Sequence, residues 1–115
     1  DFPYFRIPNP VKFIGILVDD KYKKNWKLFL DGDERNINKI KKNLKKKIDL
    51  IHYDSDKTYE GKKKFFKSIN SLLKKNTFII IDDIQDDNFF LEYINDNKKE
   101  FKIFKFNKKF LGLIY

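Results

Sequence analysis

The stretch IDLIHYDSDKTYEG, residues 48–61, decides how the chain is read. It opens on an apolar stretch, IDLIHYD (48–54), which reads as a strand ending in Asp54, with Asp56 just beyond. A polar turn then leads into a helical pattern from Thr58 to Leu73. Phe65, Phe66, Ile69, Leu72 and Leu73 fit one face of that helix, and Lys62, Lys63, Lys64 and Lys67 lie largely opposite. Thr58 or Asp56 is placed to cap it. The run NTFIIID (76–82) follows as the most apolar strand of the chain and delivers the acidic pair Asp82-Asp83.

Strand and helix patterns continue on either side, with no internal repeat. VKFIGILV (11–18) is a nearly continuous apolar run ending in Asp19 and Asp20, which suits a parallel strand buried on both faces. WKLFL (26–30) reads as a second short strand, closed by the turn Asp31-Gly32-Asp33. Ile37, Ile40 and Leu44 recur at helical spacing between Glu34 and Lys46. Asp86 to Asn97 carries Phe89, Phe90, Tyr93 and Ile94 as a short helix. FKIFKF (101–106) and FLGLIY (110–115), joined through Asn107-Lys108-Lys109, form a terminal antiparallel hairpin. Strands alternating with helices predict the α/β class, a mostly parallel sheet with right-handed crossovers.

A chain of 115 residues is at most one domain, and 41% hydrophobic with 17% aromatic residues it is a folded globule. All three prolines fall in residues 1–10, which read as an extended connector. The absence of Cys rules out disulfides and thiolate metal sites and suits a reducing cytoplasm. One histidine makes a zinc site improbable, and His52 reads as a packed, hydrogen-bonded side chain. No Ser-His-Asp or Cys-His set and no phosphate-binding loop is present. No Met occurs, so residue 1 reads as internal to a longer protein. The net charge is +9, with lysines crowding the helical stretches and acids crowding the strand exits.

Those exits carry Asp19 and Asp20, Asp31 and Asp33, Asp54 and Asp56, and Asp82 and Asp83. Open α/β sheets bind ligands outside the carboxyl ends of their strands. Carboxylates gathered there repel one another unless ligand hydroxyl or amino groups, or a hard divalent cation, relieve them. Of the Asp82-Asp83 pair, alternation turns one side chain into the cleft and the other away.

From Trp26 onward, IDLIHYDSDKTYEG, SLLKKNTFIIIDDI and FKIFKFNKKFLGLIY together resemble the C-terminal part of class I S-adenosylmethionine-dependent methyltransferases. The likeness is to the metal-dependent, macrocin-type O-methyltransferases, whose turn after the fourth strand reads Asp-Gly-Asp-His-Ser-Tyr-Glu. Asp54, Asp56, Tyr59 and Glu60 keep that turn; Leu72, Leu73 and Lys74 keep the helix end. The resemblance implies a partial Rossmann-like sheet with a C-terminal antiparallel hairpin over residues 11–115. The first strand and glycine-rich loop are missing from it, since Gly15, Gly32, Gly61 and Gly112 form no such loop. It implies S-adenosylmethionine as cofactor, with Asp19 at the ribose and Asp33 near the adenine. It further implies a divalent cation, magnesium by preference, on Asp54, Asp82 and Asp83. Lys57 stands where the family has its general-base histidine, and is the candidate catalytic residue. The activity implied is methyl transfer to a hydroxyl of a small, sugar-like acceptor, completed by the N-terminal part of the same domain. The alternatives are a basic nucleic-acid-binding module, whose affinity falls steeply with salt, and a non-catalytic remnant of the fold.

Overall fold

A computed structural model describes residues 7–115 of the chain. Its four-stranded sheet has the order β1-β2-β4-β3. The strands are β1 (Ile48–Tyr53), β2 (Leu73–Ile81), β3 (Phe101–Phe106) and β4 (Lys109–Ile114). The helices are α1 (Asp20–Lys23), α2 (Asp33–Asn43), α3 (Tyr59–Ile69) and α4 (Phe89–Asn97). β1 and β2 are parallel, whereas β4 runs antiparallel to both β2 and β3. Three strands therefore point one way, and the last strand of the chain is inserted between β2 and β3.

Alternation along each strand separates two faces. Ile51 and Tyr53 of β1, Thr77, Ile79 and Ile81 of β2 and Ile114 of β4 are buried on one side. α3 contributes Phe66 and Ile69 to the same core, and α4 contributes Phe89, Phe90 and Ile94. Aromatic rings meet there in tilted or edge-on pairs: Tyr53 with Phe65 at 4.6 Å, Phe66 with Tyr93 at 5.0 Å and Phe66 with Phe89 at 5.3 Å between centroids. Each buried aliphatic or aromatic side chain of this kind contributes roughly 1.5–3 kcal/mol. Gly112 lies under Phe90: a Cβ there would stand 2.2 Å from the ring. On the opposite face Leu50 and Phe78, partners across the β1–β2 pairing, are exposed.

The local chemistry explains the helices. Asp33 and Glu34 open α2 while Lys41 and Lys42 close it, as the helix dipole favours. Thr58 caps α3 by accepting from the Gly61 N–H at 3.1 Å, and its hydroxyl donates to Asp56 Oδ1 at 2.8 Å. Both residues expected as caps thus act together. Lys62 does not lie on the outer face. It is buried, and its ammonium donates to Asp87 Oδ2 at 2.9 Å. Asp87 Oδ1 in turn accepts from the Phe89 N–H at the start of α4, at 2.9 Å. β2 begins at Leu73, earlier than the sequence suggests, because the Thr77 hydroxyl bridges the Ile48 carbonyl and the Lys74 N–H across a bulge.

Two expected strands do not form. Residues 10–13 make a 3-10 turn with Pro10 in its first turn, and Gly15 follows at φ +66°, which breaks the extended run. Leu17 is 96% exposed, so this apolar stretch is not a core strand. Residues 26–30 have no ladder partner among the described residues either, and the Trp26 ring packs on Gly15 instead. An extended segment without a paired edge leaves its backbone groups to water and gains nothing over a turn. The connector expected over residues 1–10 falls largely outside the described residues. His52 is exposed, on the face away from the helices, rather than packed. Among the described residues no helix is long and apolar enough to cross a membrane.

Candidate functional site

Parallel pairing brings the ends of β1 and β2 to one edge. The Asp82 N–H donates to the Tyr53 carbonyl at 3.1 Å, so the two exits leave the sheet in register. Tyr53 is buried, and its hydroxyl donates to the Asp56 carbonyl at 2.9 Å. The core thereby fastens the acidic turn 54–58 to the sheet. Burial, with Asp33 and Asp56 near by, raises the Tyr53 pKa above the usual phenol range, so the hydroxyl remains a donor.

Asp54, Asp82 and Asp83 each bring a carboxylate oxygen within 4.8 Å of the others. Strict alternation would have parted Asp82 from Asp83. It fails because Asp83 adopts φ 51°, a left-handed conformation that turns its side chain back to the same rim. Asp83 is also buried, unlike Asp54.

Lys57 reaches into this group. Its ammonium donates to Asp54 Oδ1 and, at 2.6 Å, to Asp83 Oδ2, and it stands 3.7 Å from Asp82 Oδ2. Lys109, from the start of β4, adds a second ammonium at 3.2 Å from Asp83 Oδ1 and 3.9 Å from Asp82 Oδ2. The Lys57 bond, offset in part by burial and helped by Lys109 and Gln85, holds the Asp83 carboxyl down at about 2. Burial alone would lower the Lys57 pKa, but its bonds to Asp54 and Asp83 outweigh burial and raise it. An amine held in this way acts as a hydrogen-bond donor and counter-ion to Asp54 and Asp83.

Oxygen ligands at this spacing match a hard divalent ion in donor type. The charges do not match. Two ammonium groups already face the three carboxylates, and a divalent ion would have to expel Lys57 from Asp54 and Asp83 together. The residues as arranged do not fit a resident divalent cation.

Asp33 lies beside this rim. It lines an open groove of about 650 Å³ with Gly32, Asn36, His52, Tyr53, Asp54 and Asp56. A smaller groove of about 320 Å³ between α2 and α3 also includes Asp33 and Asp56, with Ile37 and Phe65. Asp19 is not brought there. It caps the short α1, accepting from the Lys21 N–H at 3.0 Å, and lines neither groove. Of the four acidic exits, two are thus true strand ends, and Asp19–Asp20 and Asp31–Asp33 flank helix starts instead. Short-range sequence patterns give no sign of Lys109 as a member of the site. Only the insertion of β4 beside β2 brings it there, and Gln85 secures the approach by accepting from the Phe110 N–H at 2.9 Å.

A mixed four-stranded sheet with helices on one face and acids at the ends of its parallel pair β1–β2 is an α/β architecture consistent with a methyltransferase-like fold. A family model described as a methyltransferase domain matches residues 11–84, more than half of the chain, and the chain belongs to that family. No curated protein and no solved structure matches it.

Proposed function

We propose that this chain takes part in S-adenosylmethionine-dependent methyl transfer to a hydroxyl of a small, sugar-like acceptor. In that reaction the acceptor oxygen takes the methyl group from the sulfonium, the carbon–sulfur bond breaks and the hydroxyl proton is released. The observation that carries the reading is the gathering of Asp33, Asp54 and Asp56 around one groove at the carboxyl end of β1, with Asp82 and Asp83 alongside. Asp33 would accept from the adenine or ribose portion of the donor, and Asp54 would face the acceptor hydroxyls. Asp19 would serve the ribose only if α1 moved toward the groove. Metal assistance, which the resemblance to macrocin-type enzymes implies, is left out of this reading because Lys57 and Lys109 already balance the carboxylates. The proposed partner is an N-terminal part of the same domain. The outer edge of β1, unpaired among the described residues, and the exposed Leu50–Phe78 pair favour such an addition.

The nucleic-acid reading finds less support. Lys62 is buried on Asp87 and Lys64 pairs with Glu34, so the lysines of α3 do not form an unbroken basic strip. Calorimetric titration of the longer natural chain, its N-terminal part included, with S-adenosylhomocysteine tests the proposal. Saturable heat, reduced about tenfold in affinity by Asp33→Ala, is expected if a charge-assisted hydrogen bond is lost. No heat at millimolar ligand would refute it.

A further inference from the structure

We infer that Lys57 is the resident cation of this rim, seated among Asp54, Asp82 and Asp83 in place of a divalent metal ion. Its ammonium bonds two of the three carboxylates and lies 3.7 Å from the third. The turn that carries Lys57 is held from two sides. Tyr53 grips the Asp56 carbonyl, and Asp56 grips both the Thr58 N–H, at 2.9 Å, and the Thr58 hydroxyl. The ammonium is therefore delivered by a braced loop, not by a free surface side chain. Lys109 arrives independently from β4 and closes the far side of Asp83. Two cations from separate elements converge on oxygens that would otherwise be metal ligands. A rim built in this way presents N–H donors and carboxylates, with the cation supplied by the chain itself.

The inference does not depend on the methyl-transfer proposal, because metal affinity is measured without cofactor or acceptor and S-adenosylhomocysteine binding tests the other reading separately. The probe is manganese(II), followed by the loss of its free-ion electron paramagnetic resonance signal on titration with protein. The wild-type chain is expected to take up no manganese at about 1 mM. Lys57→Met and Lys57→Gln each remove the ammonium and keep a side chain of similar length. Each is expected to tighten manganese binding by roughly tenfold or more, since a unit charge within bonding distance of the site disappears. Adding Asp83→Asn should abolish the gain. Manganese binding by the wild type as tight as by either variant would overturn the inference. So would failure of both variants to gain binding while retaining the wild-type circular dichroism spectrum. The wild type alone supplies a further check that needs no variant: its melting temperature should be the same in millimolar magnesium and in EDTA, and stabilisation by magnesium would also overturn it.

Discussion

The pair Lys62–Asp87 tests how a lysine-rich chain tolerates a lysine inside its core. Lys62 is 1% exposed at its side chain and Asp87 15%, with 2.9 Å between the charged atoms. Asp87→Asn keeps the shape of the side chain and an oxygen for the Phe89 N–H, but leaves the ammonium sealed from water and unpaired. Breaking a buried pair from one side costs about 3–5 kcal/mol. Lys62→Met is milder. The thioether fills the path of the lysine stem, and the stranded carboxylate retains some access to water, so about 1–3 kcal/mol is expected. In a domain of this length each kcal/mol moves the melting temperature by about 4 °C. The order of melting temperatures should therefore be wild type, Lys62→Met, Asp87→Asn. Urea unfolding followed by circular dichroism gives the free energies, and the double variant completes a cycle with a coupling of about 2 kcal/mol. An Asp87→Asn variant within about 1 kcal/mol of wild type would refute the reasoning, as would Lys62→Met proving the costlier change.

Gly112→Ala should destabilise the fold by about 1–3 kcal/mol through overpacking on the Phe90 ring, and Phe90→Leu in the same chain should recover part of the loss in urea titration. Asp83, with its carboxyl held at about 2, should contribute stability that is complete above about pH 4 and disappears as the pH falls toward 2. The stability gap between wild type and Asp83→Asn, measured by urea unfolding at successive pH values, should close over that window. A gap that widened toward low pH would contradict the assignment.

The second half of the chain was legible because its patterns are reinforced by neighbours in space. Ile51, Tyr53, Ile79 and Ile81 read as strand residues and have a paired strand and two helices to pack against. The run 11–18 has the same apolar character without that pairing, and Pro10 and Gly15 then decide its course. The acids misled for a related reason. An aspartate after an apolar run serves as well at the first turn of a helix as at a strand exit, and Asp19 and Asp33 took the former place. The convergence of Asp54, Asp82 and Asp83 follows from parallel strand ends and was readable in outline. The seating of Lys57 among them was not, because the choice between a side chain and a metal as counter-charge depends on distances of a few ångströms. Lys62 shows the same limit. Its neighbours in sequence are exposed lysines, yet it stands four residues before Phe66 and seven before Ile69 on the buried face of α3, where Asp87 supplies its counter-charge.

The insertion of β4 between β2 and β3 has a consequence for biosynthesis. β3 leaves the ribosome before β4 and, among the described residues, has no sheet partner other than β4. Until Ile114 has emerged, Phe101 to Phe106 must wait in solvent with its backbone unpaired. The sheet is thus completed from its interior outward, and a nascent chain halted before residue 109 would forfeit both strands at once.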